Sequence, residues 1–347
     1  MARVGQQGPG SQSTMKGTKV TIPEQLKADV PHTTMGKLLA ATPVVMAVVA
    51  TMLAGLASSE MTRAQYDRAL AAQQQSKAGD QWSFFQAKRL RGAFQRNSLD
   101  LLQSLVDLRP LSAAAIQGAA EQLGPPSEQA DPAKFRAQLL ETVKSPNGQQ
   151  ALDLLQRGEL PKAAAAPIPP PPIQAALEAV ENLRPEAAIR DLLAKVSNEA
   201  LVEAVHAARD RSQEFDTATK PVNAVIDQLE SLLTKSSAAL KAGNSNSITR
   251  DFTALRLRYN AQRYEAEARL NQAIANLYEL QVRKSNISAE RHHNRSQRFF
   301  FGMLAAQLGV IVSTLAMAAR QRNLLWALAA AAGLLAIAFA IYVYLYV

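Results

Sequence analysis

The stretch LLAATPVVMAVVATMLAGLASS, Leu38 to Ser59, contains no charged residue and decides the fold. An α-helix rises about 1.5 Å per residue, so this run is long enough to cross the roughly 30 Å hydrocarbon core of a membrane. The sequence therefore predicts a transmembrane helix over residues 37–59. The alternative is a signal peptide cleaved after Ala57, which would have an unusually long segment before its apolar run.

Two further uncharged runs, Phe299 to Ala319 and Leu324 to Val347, end the sequence and are separated only by RQRN. They predict a tight transmembrane hairpin, with helices over residues 299–319 and 324–347. The basic loop residues Arg320 and Arg322 favour a cytoplasmic loop, with residues 60–298 on the opposite side of the membrane. Arg295 and Arg298 lie at the other end of the second span and favour the reverse orientation.

The remaining sequence predicts only helices, so the expected fold class is an all-α membrane protein with three transmembrane helices, a long antiparallel stalk and a helical head. Proline-rich stretches such as RGELPKAAAAPIPPPPIQ predict a loosely packed insertion, in which Pro169 to Pro172 form a polyproline II spacer. The predicted regions are a flexible tail over 1–36, an outgoing stalk helix over 60–108, the insertion over 109–184, the head over 185–246 and a returning stalk helix over 247–298.

Both stalk helices carry apolar residues at intervals of seven, the spacing typical of helices that pack side by side. If Glu60 is level with Arg298, antiparallel pairing sets Phe94 beside Tyr264 and Arg91 beside Glu267. The residues predicted to pack in the stalk are Trp82, Phe85, Phe94, Leu101, Tyr259, Tyr264, Leu270, Leu277 and Leu280. Polar residues interrupt the seam, so we expect further helices or neighbouring subunits to share it.

The segment DQWSFFQAKRLR, Asp80 to Arg91, together with RYNAQRYEAEARLNQAIANLYEL and the closing hairpin, resembles an uncharacterised family of bacterial membrane proteins known only as a domain of unknown function. Asp80, Gln81, Trp82 and Gln86 to Lys88 carry the likeness. The resemblance implies the architecture and a bacterial source, and no activity. With a bacterial source, the cytoplasmic loop favoured by Arg320 and Arg322 predicts a protein of the inner membrane whose large helical region is periplasmic.

The sequence offers little catalytic chemistry. It has no cysteine and only four histidines, with no metal-ligand spacing, phosphate-binding glycine loop or nucleophile motif. We expect no enzyme activity, no cofactor and no metal. Aromatic residues beside basic ones in a chain of net charge +9 suggest single-stranded nucleic acid as an alternative ligand. A periplasmic stalk would not meet nucleic acid, so we expect none.

Small residues recur every four positions in the membrane helices, a pattern that allows close approach of helices in lipid. Those predicted to pack are Ala47, Thr51, Gly55, Ala305, Gly309 and Ser313. The expected function is a self-associating scaffold or structural protein in the lipid bilayer. One alternative is an accessory subunit of a larger membrane complex. A channel or mechanosensory component is the other, for which Gln307, Ser313 and Thr314 supply only a thin polar path.

Overall fold

The computed structural model describes residues 34–122, 132–160, 165–239, 244–318 and 322–346. The described residues form helices and short connections, and none lies in a strand. The predictions for the tail over 1–36 and for the loop at Arg320 fall largely outside these ranges. In chain order, the helices are α1 Thr34–Leu105, α2 Ala113–Gln122, α3 Pro132–Lys144, α4 Pro146–Arg157, α5 Pro171–Glu181, α6 Glu186–Ala194, α7 Asn198–Ala239, α8 Asn244–Ala318 and α9 Arg322–Tyr346.

Three of these helices contain segments long and apolar enough to cross a membrane, as judged by length and composition. They are α1, α8 and α9, which confirms the all-α fold class with three candidate spans. The chain divides into two compact units. The first contains the described residues of Met1–Thr62 and His292–Val347, and the second consists of Arg63–Arg291.

The first unit is a three-helix bundle whose core comes from all three apolar segments. Met46 of α1, Phe299 of α8 and Ala336 of α9 are buried together at 4%, 3% and 2% exposure. Most of the other large apolar side chains of these segments face outward, including Val44, Met52, Leu308 and Leu334. An apolar exterior around an apolar core is the distribution expected for helices that face lipid.

The second unit packs short helices on antiparallel segments of α1 and α8, and it contains two large hydrophobic clusters. One cluster combines Phe135 and Leu139 of α3 with Leu155 of α4, Leu229 of α7 and Tyr259 of α8. The expectation of a loosely packed insertion is therefore wrong. Each proline-bounded helix carries one apolar face, and these faces together fill a core that no single helix could close.

The prediction that Pro169 to Pro172 form a polyproline II spacer is also wrong for its second half. Pro170 is extended, with φ −52° and ψ 148°, but Pro171 and Pro172 occupy the first turn of α5. Proline suits that position because its fixed φ matches a helix and its missing N–H would have no partner there. The residue after α4, Gly158, ends that helix by adopting a left-handed φ of 65°, a conformation that glycine adopts readily.

Candidate functional site

In the second unit, α1 packs on α8 along a seam of small residues spaced by seven. Ala64, Ala71 and Ala78 are 0%, 4% and 0% exposed, and Gly92 continues the spacing two heptads later. A β-carbon on Gly92 would lie 3.5 Å from Cβ of Tyr264. The residue of α1 that faces Tyr264 is therefore Gly92, and the close approach of the helices depends on small side chains.

Trp82 lies on this seam as predicted. Its indole Nε1 donates a hydrogen bond of 2.7 Å to Oε1 of Glu279 on α8. Its ring packs edge-on against Phe85, with ring centroids 5.3 Å apart. Two of the three aromatic residues of the motif are thus brought together, and the indole is held to the opposite helix by a hydrogen bond to a carboxylate.

The basic cluster that follows Trp82 is divided between the seam and the surface. Lys88 forms an ion pair with Oε2 of Glu267, whose side chain is 7% exposed, and Arg263 approaches Oε1 of the same carboxylate at 3.7 Å. Lys88 therefore takes the place beside Glu267 that the sequence assigned to Arg91. The arginines Arg89, Arg91 and Arg96 are exposed.

The residues predicted to pack on the returning helix are mostly buried. Leu270, Leu277 and Leu280 are 1%, 4% and 0% exposed, and Tyr259 is 1% exposed. Tyr264 is half-buried, with the Nζ of Lys88 5.6 Å from its ring centroid. This apolar face of α8 is therefore buried, but part of it packs against other helices: Tyr259 joins the cluster formed by α3, α4 and α7, and Leu270 packs with Phe215 of α7.

The outgoing helix differs from its prediction. Phe94 and Leu101 are 59% and 62% exposed, so they do not pack against α8. The seam of α1 lies two positions earlier in the heptad, where Ala64, Ala71, Ala78 and Gly92 are buried and Phe85 and Leu99 are half-buried. The prediction that Phe94 contacts Tyr264 is wrong for the single chain. The exposed stripe of α1 consists of Phe84, Leu90, Phe94, Leu101 and Leu105, which are 54% to 71% exposed.

A polar cleft of about 520 Å³ lies between α1, α7 and α8 beside the motif. Its walls carry charges of both signs, including Lys88, Arg209, Asp216 and Glu267. Burial raises the pKa of Asp216, and the nearby Glu267 carboxylate raises it further. No group of three or more His, Asp or Glu residues among the described residues is arranged to hold a metal ion.

Burial also shifts the pKa of two side chains on α8. It raises the pKa of Tyr259 to about 12, and the hydroxyl of this tyrosine has no hydrogen-bond partner among the described residues. It lowers the pKa of Lys284, which donates a hydrogen bond to the carbonyl oxygen of Val196. In both cases burial, which disfavours the charged form, is the largest cause of the shift.

In the first unit, the bundle is centred on Met46. β-Carbons on Gly309 and Gly333 would lie 2.3 Å and 2.4 Å from atoms of the Met46 side chain, so the two glycines form the space that this side chain fills. Gly309 and Ser313 are buried and Ala305 is half-buried, which puts this predicted row at or beside the bundle interior. Ala47, Thr51 and Gly55 are exposed and contribute no packing to the single bundle.

Polar side chains of the bundle are mostly satisfied within it. Trp326 Nε1 donates to Thr42 Oγ1 at 2.9 Å, and the Thr42 hydroxyl donates to the carbonyl oxygen of Leu38. The hydroxyls of Ser313 and Thr314 bond to carbonyl oxygens of their own helix. These three hydroxyls therefore have their protons committed to backbone carbonyls of their own helices.

A cleft of about 570 Å³ lies at one end of the bundle, between α1 and α8, and we call it the boundary cleft. Two contacts join α8 to α1 beside it. The hydroxyl of Ser296 donates to the carbonyl oxygen of Ala57 at 2.7 Å, and His292 Nδ1 lies 2.5 Å from Glu60 Oε2. The cleft is lined by Ala54, Ala57, Ser58, Met61, His293, Ser296, Gln297, Phe300, Phe301 and Met303. The sequence analysis gave no sign of this cleft, because its two walls are over 230 residues apart in the chain.

The fold thus defines an all-helical protein with three helices suited to crossing a membrane. A family model described as Domain of unknown function (DUF4337) matches residues 35–151, which confirms the resemblance to an uncharacterised family over that segment. The match covers the first apolar run and the DQWSFFQAK motif and continues into the insertion, while the returning helix and the hairpin lie outside it. No curated protein and no solved structure matches this chain.

Proposed function

We propose that this protein is a membrane-anchored helical scaffold that self-associates through the exposed stripe of α1 and through its membrane helices. The single observation that carries the proposal is the exposed stripe. Its five large apolar residues span about 32 Å along a helix, and isolated chains rarely leave such a row uncovered in water.

The charges beside the stripe favour a second copy of the same chain as its occupant. Arg96 and Asp100 are exposed and have no ion-pair partner among the described residues. Two copies of α1 running in opposite directions, related by a twofold axis at Ser98, would set Arg96 level with Asp100 of the other copy. In the same arrangement Phe94 lies within one residue, about 1.5 Å, of the level of Leu101 of the other copy, and the apolar rows cover each other.

The membrane helices supply the second contact in this proposal. The small side chains of Ala47, Thr51 and Gly55 face away from the bundle core, where neighbouring bundles can approach them closely. We further propose that the bundle lies in a bacterial inner membrane and that the second unit is periplasmic. The arginines of the short loop support this orientation.

Disulfide crosslinking in native membranes tests the proposal, because the chain contains no cysteine of its own. A Ser98→Cys variant places its thiols at the proposed twofold axis, so we expect an oxidised dimer. A Phe84→Cys variant is the matched control, since antiparallel copies hold these positions about 40 Å apart. Crosslinking at both positions would support self-association but contradict the antiparallel register.

Absence of crosslinking at both positions would overturn the exposed stripe as a self-association surface. The mass and composition of the detergent-solubilised particle then distinguish the remaining classes. A particle that contains only this chain in several copies supports the scaffold. A particle with one copy beside other polypeptides indicates an accessory subunit whose stripe contacts a different protein.

A further inference from the structure

We infer that the boundary cleft binds an anionic phospholipid, with an acyl chain against its apolar wall and the phosphate group beside His293 and Gln297. The inference rests on the membrane anchoring in the proposed function and is independent of self-association.

The position of the cleft is the first reason. The uncharged runs of the first and second spans stop at Ser59 and begin at Phe299. The hydrogen bond between Ser296 and Ala57 holds these two ends side by side in the structure. The cleft therefore opens at the depth where headgroups meet acyl chains, on a surface that lipid would contact.

The composition of the walls is the second reason. Ala54, Met61, Phe300, Phe301 and Met303 form an apolar surface, and none of the described residues that line the cleft carries a carboxylate. Its volume of about 570 Å³ lies within the range of roughly 300 to 1,000 Å³ that ligand pockets occupy. An apolar wall of this size accommodates hydrocarbon, and a cleft without a carboxylate does not repel a phosphate.

The polar groups at the rim are the third reason. Nε2 of Gln297 lies 3.0 Å from Nε2 of His293, and Nδ1 of His293 is buried with no hydrogen-bond partner among the described residues. An unpaired buried nitrogen is unfavourable, so the ring gains by turning toward an acceptor. A phosphate oxygen at the rim is such an acceptor, and a hydrogen bond to its negative charge is stronger than one to a neutral oxygen.

The surrounding charge selects the kind of headgroup. Arg295 and Arg298 lie on the same turns of α8 as the cleft residues and have no carboxylate partner among the described residues. The acidic side chain nearest to the cleft in sequence, Glu60, is already engaged with His292. Positive charge at the depth of the headgroups favours anionic over zwitterionic lipid.

Native mass spectrometry of the detergent-purified full chain tests the inference. Phosphatidylglycerol and phosphatidylcholine with identical acyl chains are added in equal amounts, and bound lipid is counted per chain. We expect phosphatidylglycerol to be retained about tenfold more strongly, the effect of one charge-assisted contact. Glycerol phosphate has the anionic group without acyl chains, and we expect it not to compete.

Two kinds of variant locate the site. Ala54→Trp fills the cleft and should abolish retention, whereas Val48→Trp places the same side chain at an exposed position outside the cleft and should not. His293→Gln and Arg298→Gln should each reduce the preference for phosphatidylglycerol while leaving retention of phosphatidylcholine unchanged.

Equal retention of the two lipids by the unmodified chain would overturn the headgroup assignment. Retention that survives Ala54→Trp would overturn the location of the site. Lipid is counted separately for each oligomeric state in the same spectrum, so failure of self-association is distinguishable from failure of lipid binding. If Ala54→Trp does not yield folded protein, the two rim variants still decide the matter.

Discussion

The indole of Trp82 donates a 2.7 Å hydrogen bond to the carboxylate of Glu279, a residue 197 positions later in the sequence. The bond links the antiparallel helices α1 and α8. A tryptophan buries a large apolar ring but still needs an acceptor for its N–H. Glu279 supplies that acceptor at a half-buried position. This pair therefore sets the register of α1 on α8 within the second unit.

Replacing Trp82 by phenylalanine should lower stability because the ring shrinks and Glu279 loses its donor. We expect a loss of about 1 to 3 kcal/mol, typical of a hydrogen bond to a charged group. Thermal unfolding of the purified full chain in detergent measures the change. Phe84→Leu, at an exposed neighbouring position, is the control. Equal midpoints for the two variants would show that the hydrogen bond contributes nothing.

Two substitutions of Gly92 should have opposite effects on the stability of the folded chain. A β-carbon there would make ordinary van der Waals contact with Tyr264 and with the carbonyl oxygen of Ala261, both 3.5 Å away. Gly92→Ala should therefore stabilise the chain by about 0.5 to 1 kcal/mol, since alanine favours helix more than glycine does.

Gly92→Leu should destabilise the chain strongly, because the larger side chain separates α1 from α8. The exposed neighbour Ala93 provides the control variant Ala93→Leu, which should leave the unfolding midpoint nearly unchanged. A stable Gly92→Leu protein would mean that the seam does not need close approach at this point.

Tyr259 links stability to pH. Its folded pKa is raised to about 12, so the folded state holds the proton more tightly than the unfolded state does. The stability contributed by the neutral phenol is complete below the unfolded pKa near 10 and is lost as the pH rises toward 12. The variant Tyr259→Phe should lack this loss, because it has no proton to release.

At neutral pH the same variant should be as stable as the parent chain or more stable, since the buried hydroxyl has no partner among the described residues. Unfolding of both proteins is measured at pH 7 and at several values between 9 and 11.5, and the difference between them isolates the tyrosine. A difference that is independent of pH would contradict the assigned shift.

Two methionines of the first apolar run test the bundle core. Met46 is 4% exposed and fills the space formed by Gly309 and Gly333, whereas Met52 is 65% exposed. Met46→Ala should lower stability by about 2 to 5 kcal/mol because it leaves a cavity. Met52→Ala removes the same atoms from an outward face and should have little effect. Equal effects in a detergent unfolding assay would contradict the observed packing.

The sequence was informative where one chemical pattern dominated a segment. Long uncharged runs predicted all three apolar helices, and the regular spacing of Tyr259, Ala266 and Leu280 predicted an apolar face of α8, whose residues are buried in the second unit. The seam of α1 was assigned to Phe94 and Leu101 because they are the larger apolar residues. That assignment failed because α1 and α8 pack closely where α1 carries alanine and glycine. Such small residues give only a weak hydrophobic pattern in the sequence.

The sequence by itself determined that the chain is helical, where its apolar spans lie and which motif resembles an uncharacterised family, because these properties depend on neighbours within a few turns. Only the tertiary structure decided that Gly92 faces Tyr264, that the insertion completes a core, that Phe94 is left exposed and that a cleft forms beside His293. These features require side chains more than a hundred residues apart to meet. Their geometry depends on which faces pack most closely, and local sequence patterns do not specify that choice.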